Sequence, residues 1–338
     1  MKFIGIADLH FALYGQDPIN VVSGLPDRLH NLNIVIRNIL DYALEESIET
    51  VVIAGDINHT KSIIHSLALS VFIDIIRDYR SIKIICIDGN HDMSSKSGSG
   101  VSALKALDYE KNVIMLHEPW FTENIWFVPW NAKTMINSIK NPPSSAEYLI
   151  SHFGLNEGEL SSGISIVSDI GLKDLKNYKH CYLGHYHTPQ TVGNVTYLGS
   201  IMQMDWGEKN EEKRFMIIDT DNHSDKSILT EGYKKHYELD LDDTNKSAVI
   251  QQARILKDNG HYIKINKLSN KVDVSDINQE FRIIDKVDTD ITNRGINTSM
   301  SMDDKLKRYL GIKEVPEIKF EFYLEVAKQI ISDSIGEK

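Results

Sequence analysis

Ile84-Ile85-Cys86-Ile87-Asp88-Gly89-Asn90-His91-Asp92 is a short apolar run that ends abruptly in an amide, an imidazole and a carboxylate. Such a run, closed by a glycine, reads as a buried strand that delivers polar side chains to a sheet edge. In α/β proteins, ligands gather beyond the carboxyl ends of the strands. Taken alone, Gly-Asn-His-Asp equally suits a tight turn, because Gly, Asn and Asp all accept turn geometry. The pattern recurs upstream, however. Lys2 to Ala7 reads as a first buried strand, and it ends in Asp8-Leu9-His10, where alternation aims acid and imidazole the same way. Thr50 to Ala54 reads as a second, ending in Gly55-Asp56-Ile57-Asn58-His59. From Asp27 onward Leu29, Leu32, Val35, Ile36, Ile39, Leu40, Ala43 and Leu44 recur at helical spacing, and a second amphipathic stretch runs from Ile63 to Tyr79. The order is β-α-β-α-β, which implies right-handed parallel crossovers and strand ends at one edge. His30 and His65, lone on those helices, read as surface or packing residues.

Downstream, Val113 to Leu116 and Ile125 to Trp130 read as strands of a second sheet, with Trp120, Trp126 and Trp130 filling core. Tyr148 to His152 is a further strand with a histidine at its end. Cys181-Tyr182-Leu183 leads into Gly184-His185-Tyr186-His187, whose alternation again aims both imidazoles to one side. Val195 to Tyr197 and Phe215 to Asp219 complete this part. Beyond about residue 222 the chain turns to short polar-rich pieces: a strand at Tyr262 to Ile265, a helix near Val274 to Phe281, and Asn/Thr/Ser-rich residues 289–301 that read as a linker. The tail from Met302 to Ile335 contains two helical stretches broken near Gly311 and Pro316. Phe320, Leu324, Ala327 and Ile331 place one apolar stripe on its last helix.

At 338 residues the chain is long enough for one large core and a smaller appended unit. Its 41% apolar and 25% charged content is that of a globular protein, and no apolar run approaches the roughly 18 residues of a membrane span. The N-terminus lacks the apolar core and cleavage site of a signal peptide, which predicts a soluble, cytoplasmic protein. The only cysteines, Cys86 and Cys181, lie inside predicted strands, so a thiolate metal site is excluded by number. The net charge of −11 argues against a broad basic surface that would hold nucleic acid unaided. Residues 221–338 carry 22 acids against 19 bases, which leaves −8 on the first 220 residues.

Asp8, His10, Asp56, Asn90, His152, His185 and His187 all follow strands. Two carboxylates, four imidazoles and an amide are too many for one tetrahedral ion but suit two divalent ions sharing a carboxylate. Two such ions, about 3.5–4 Å apart, form a clamp for phosphoryl chemistry.

Asp-x-His, Gly-Asp-x-x-His, Gly-Asn-His-Asp, a later strand-end His and Gly-His-x-His, in that order across residues 1–220, resemble the calcineurin-like metallophosphoesterases. The resemblance implies an α/β fold: a two-sheet sandwich flanked by helices, with a small α+β capping domain and a helical C-terminal tail. On this reading residues 1–222 are the metallophosphoesterase nuclease domain, 223–290 the capping domain and 291–338 the linker and partner-binding tail. It further implies that Asp8, His10, Asp56 and His187 hold one metal and Asp56, Asn90, His152 and His185 the other. His91 would contact the scissile phosphate or leaving group, with Asp92 orienting its imidazole. Asp56 is followed by Ile57-Asn58-His59-Thr60 rather than an Asp-Arg-Gly segment, which is closer to DNA-repair nucleases of the SbcD type, and His59 matches a histidine near the substrate in that branch. Tyr197-Leu198-Gly199-Ser200, Trp206-Gly207-Glu208 and Lys213-Arg214-Phe215 resemble that branch's closing segment, and the length resembles recombination nuclease subunits of T-even-like phages. The implied function is a DNA exo- or endonuclease using two divalent ions, Mn2+ before Mg2+, as the catalytic partner of an SbcC-like coiled-coil ATPase. A homodimer is a further partner, and a membrane is not. A phosphodiesterase for small nucleotides and a non-catalytic scaffold of the same fold are the alternatives.

Overall fold

The computed structural model describes residues 1–14, 17–61, 63–94, 101–158, 168–286, 300–312 and 316–336. Its layers follow from the alternation of side chains along the first strands. In β1 (Lys2–Ile6), β2 (Thr50–Ala54) and β3 (Lys83–Ile87), Ile4, Ile6, Val51, Ile53, Ile84 and Cys86 face one way. They meet Leu29, Leu32, Val35, Ile36 and Ile39 of α1 (Asp27–Glu45) and Phe72, Ile75 and Ile76 of α2 (Ser66–Asp78). Phe3, Val52, Ala54, Ile85 and Ile87 face the other way, into a second core shared with Ile125, Phe127, Tyr148, Ile150 and Tyr182. Those residues belong to β6 (Ile125–Val128), β7 (Tyr148–His152) and β8 (His180–Gly184). The outer face of these strands packs Leu149, Cys181 and Leu183 against Met135 and Ile139 of α3 (Met135–Lys140) and Leu175 of α4 (Leu172–Leu175). The result is helix, sheet, sheet, helix. Each fully buried Leu, Ile or Phe in these cores contributes about 1.5–3 kcal/mol.

The first sheet also contains β4 (Val113–Leu116), β11 (Arg214–Asp219) and β12 (Ser224–Leu229), in the order β12-β11-β1-β2-β3-β4. β1 to β4 run parallel and β11 pairs antiparallel with β1. The second adds β5 (Trp120–Thr122), β9 (Gln190–Val192) and β10 (Val195–Tyr197), in the order β5-β6-β7-β8-β10-β9. Val113–Leu116, expected in the second sheet, thus pairs with β3 in the first, because a four-residue apolar strand reads alike whichever sheet it joins. Trp120, Trp126 and Trp130, expected as core fillers, are half-buried and pack at its margins.

The chain divides into two compact units, Met1–Glu238 with Leu256–Tyr262, and Leu239–Ile255 with Ile263–Lys338. Beyond β12 come β13 (His236–Leu241), α5 (Lys246–Asp258), β14 (Tyr262–Lys267), β15 (Arg282–Asp285), α6 (Met302–Ile312) and α7 (Glu317–Gly336). The second unit has its own core of Leu241, Val249, Ile250, Ala253, Ile265, Ile277 and Phe281. Residues 274–281, expected as a helix, are turns, and α5 is the helix of this unit. α6 and α7 pack on each other, with Lys328 Nζ 2.6 Å from Asp303 and Leu324 buried. The expected linker at 289–301 falls almost wholly outside the described residues, as does the side chain of Ile331. Among the described residues, no helix is long and apolar enough to cross a membrane.

Candidate metal centre

Backbone pairing continues past the strand ends and sets the site. Asp8, His10 and Phe11 N–H donate to the carbonyls of Gly55, Asp56 and Ile57 at 3.1, 3.0 and 2.7 Å, so the segments after β1 and β2 are zipped together. Asp8, His10, Asp56 and His185 all have positive φ, 54°, 50°, 52° and 106°. This backbone turns their side chains inward and is uncommon outside Gly, Asn, Asp and His. A Cβ at Gly89 would lie 2.2 Å from Asp56 Oδ1, and one at Gly55 2.4 Å from His152 Nδ1, so both positions exclude a side chain.

The donors converge from both sheets. His10 Nε2 is 2.9 Å from His187 Nε2, 3.9 Å from Asp8 Oδ1 and 3.8 Å from Asp56 Oδ2. His152 Nε2 is 3.2 Å from Asp56 Oδ2, 4.0 Å from Asp8 Oδ1 and 3.1 Å from Asn90 Oδ1, which also lies 3.2 Å from His185 Nδ1. Asp8, His10 and His187 form one group whose ligand atoms lie within 4.8 Å of each other, and Asp8, Asp56 and His152 form another. His10, His59 and His91 form a third. All seven residues expected to bind metal are therefore brought together, with Asp8 and Asp56 between the groups. Carboxylates, imidazoles and an amide without thiolate are the donor set of borderline divalent ions.

Protonation fits that use. Burial, with the nearby His187, holds His10 well below the ordinary histidine range, and burial with His152 pulls His185 down to about 3. Burial and His91 pull His59 down to about 4. These rings are neutral at pH 7, as a ligand or acceptor must be. Burial opposes charge on His152, but the Asp56 carboxylate outweighs it and raises the imidazole to about 9. In return Asp56 stays well below the carboxylate range despite its burial.

A second layer fixes the rings. His152 Nδ1–H donates to the Ala54 carbonyl at 2.8 Å and His187 Nδ1–H to Glu208 Oε1 at 2.7 Å, which leaves both Nε2 atoms facing inward. Glu208 is buried and also accepts from Met204 N–H at 2.9 Å and from Lys213 Nζ at 2.8 Å. Lys213, 1% exposed, reaches Glu211 at 2.7 Å and the His187 carbonyl at 2.9 Å as well. Glu208 and Lys213 are therefore part of the site. In the sequence they stand only in a motif of family resemblance, since no periodicity links a carboxylate to an imidazole 21 residues away.

His91 lies beside these groups with its Nδ1–H on the His59 carbonyl, 2.5 Å away. Its Nε2 is buried and has no hydrogen-bond partner among the described residues. The His59 ring stacks on it at 15° and 5.8 Å between centroids. Asp92 does not orient the His91 ring: its carboxylate accepts from Gly89, Asn58 and Ile57 N–H at 2.8, 2.7 and 3.3 Å. The orienting contact is the His59 carbonyl, and Asp92 ties the loop after β3 to the loop after β2.

Residues 1–192 match a family model described as calcineurin-like phosphoesterase. The chain is similar to Exonuclease subunit 1 of Enterobacteria phage T4, 26% identical over 235 residues that cover 65% of each protein. It is similar to the SbcD chain of the nuclease SbcCD of Staphylococcus epidermidis, 26% identical over 42% of this chain and 39% of that protein. It is also similar to DNA double-strand break repair protein Mre11 of Archaeoglobus fulgidus, 23% identical over 71% of this chain and 57% of that protein. The chain thus spans less than two thirds of the length of each of these relatives.

Proposed function

Because the chain belongs to the calcineurin-like phosphoesterase family, we propose that it hydrolyses phosphodiester bonds in DNA with two divalent ions, Mn2+ before Mg2+. The observation that carries this reading is the convergence of seven strand-end donors beside His91, whose buried Nε2 has no partner among the described residues. Asp8, His10, Asp56 and His187 would hold one ion and Asp56, Asn90, His152 and His185 the other. When bound, the ions supply an activated water and neutralise phosphate oxygens. The remaining work falls to the chain. His91, held through Nδ1–H by the His59 carbonyl, acts as the imidazolium: it presents Nε2–H to the leaving sugar oxygen, gives up that proton and is left neutral. His59, neutral and stacked on His91, borders the substrate, while Glu208 keeps His187 in the tautomer that offers Nε2 inward.

The similar proteins bear names of nucleases and of a DNA-repair protein, which supports DNA as the substrate. Two of those names denote single components of larger enzymes, which supports a multi-chain assembly. On this reading an SbcC-like coiled-coil ATPase docks on the α6–α7 pair, where Phe322 is 66% and Tyr323 42% exposed. The test is hydrolysis of single- and double-stranded DNA in Mn2+, in Mg2+ and in chelator, with and without the ATPase. Asp56→Ala should lose metal and activity together. His91→Ser should keep its metal and lose roughly 10²–10⁴ in rate. Full activity in chelator, or in His91→Ser, overturns the assignment.

A further inference from the structure

A pocket of about 260 Å³ has none of the proposed metal ligands in its lining, and nothing in the chemistry above uses it. Trp206, His236 and Tyr262 line it, each half-buried. The His236 ring stacks on Tyr262 at 25° and 5.0 Å, and Trp206 meets His236 edge-on at 4.8 Å. The rings are held from behind. Tyr262 OH donates to the buried Asp27 carboxylate, which also takes Lys234 Nζ at 2.8 Å, and His236 N–H donates to Gln203 Oε1 at 2.5 Å.

Two routes join this pocket to the centre. Trp206 and Glu208 share one short helical turn, Trp206–Glu208, and Glu208 is the brace of His187. On the other side, the Arg28 guanidinium lies 3.9 Å over the Tyr14 ring, and Tyr14 packs on His59 at 5.1 Å between centroids. Arg28 lines the pocket, so the path Arg28, Tyr14, His59 leads directly to His10.

The character of the pocket selects its occupant. Lys234 is engaged by Asp27 and Arg28 is covered by Tyr14, while Asp17 and Asp205 stand on the same wall. A phosphate would gain little there, whereas a flat, neutral heterocycle would gain ring faces. The volume falls below the roughly 300–1,000 Å³ that encloses a whole drug-sized ligand, so the space suits one ring system rather than a free nucleotide with its phosphates. Base–aromatic stacking is tolerant of sequence, because every base has a π-face.

We propose that this pocket takes an unpaired nucleobase of the strand whose phosphate lies at the metal centre, and stacks it on Trp206 and the His236–Tyr262 pair. The proposal rests on the phosphodiesterase reading and makes it more specific: the substrate is single-stranded or frayed at the site of cleavage.

The test is a binding cycle, independent of turnover. A short phosphorothioate-linked single strand carries 2-aminopurine at one position at a time, and a matched set carries an abasic residue instead. The wild-type protein should quench the fluorophore strongly at one position, and the abasic residue there should weaken binding about 5- to 100-fold. Trp206→Ala should weaken binding of the intact strand by a similar factor, and the abasic residue should then cost that variant nothing more. Trp206→Phe, which keeps a ring, should retain the coupling; if Trp206→Ala does not fold, His236→Ala is read in the same cycle. Equal abasic penalties in wild type and variant, or no positional quenching, overturn the pocket. A coupled cycle in a protein that cleaves no DNA would overturn the nuclease reading and leave the pocket standing. Cleavage with no coupling would do the reverse.

Discussion

Glu208→Gln tests whether the centre depends on its second layer. The carboxylate accepts from His187 Nδ1–H, Lys213 Nζ and Met204 N–H, with the Ser200 hydroxyl 3.2 Å away. A glutamine offers one acceptor oxygen and turns an NH2 toward these donors. Burial opposes charge on Glu208, yet His187 and Lys213 pull its carboxyl from 4.5 down to about 2. A pKa depressed in the folded state contributes stability that is present above about pH 4.5 and is lost as pH falls toward about 2. That difference corresponds to about 3 kcal/mol, the low end of the ~3–5 kcal/mol for breaking a buried pair. The low end is appropriate because Lys213 keeps Glu211 at 2.7 Å. Urea unfolding in chelator at pH 7.5 should therefore show a loss of about 3 kcal/mol, shrinking as the pH is lowered below 4.5. Freed from Glu208, His187 no longer has its tautomer fixed, and Mn2+ affinity, read by competition with a chelating dye, should fall about 10- to 100-fold. A variant that loses less than about 1 kcal/mol and binds Mn2+ like the wild type would refute the brace.

Asp92→Ala leaves the N–H groups of Gly89, Asn58 and Ile57 without their acceptor and should cost about 1–3 kcal/mol for each group left buried and unpaired, with amide exchange rising first at those positions; unchanged exchange would refute the tie. His152, raised to about 9 by Asp56 against its burial, must shed a proton to become a ligand. Mn2+ binding at pH 7 should therefore release protons, and affinity should rise with pH up to about 9 and then level off; calorimetry in buffers of different ionisation enthalpy checks this, and pH-independent binding would contradict it. A chain ending at residue 298 should keep its Mn2+ and hydrolyse a small phosphodiester but no longer co-purify with the ATPase, whereas unfolding or intact ATPase binding would make the tail ordinary core.

The strand-end motifs were legible because a buried parallel strand is an apolar run that stops where its polar residues begin, and this chain repeats that signal at Asp8, Asp56, Asn90, His152 and His185. The ladder partners of those strands were less so. β4 could be recognised as a strand but not assigned to a sheet, since both faces of a short apolar strand look alike. α5 escaped because only Val249, Ile250 and Ala253 are buried in a largely polar helix, a face too narrow to stand out. Residues 274–281 misled in the opposite way: Val274, Ile277 and Phe281 have helical spacing, but they are packed by successive turns. Within the site, the family resemblance implied that Asp92 orients the His91 ring, whereas its carboxylate serves backbone N–H groups from two loops.

The positive φ angles of Asp8, His10, Asp56 and His185 carry a consequence for how this protein would evolve or be engineered. Such conformations cost of order 1–3 kcal/mol each where the residue is not glycine, so the centre strains the backbone that holds it. Selection for heat resistance alone would accept glycine or asparagine at these positions and relax the strain, erasing the ligands as it did so. Stabilising libraries of this chain therefore need to hold those residues constant and seek their gains elsewhere, such as on the exposed face of α5.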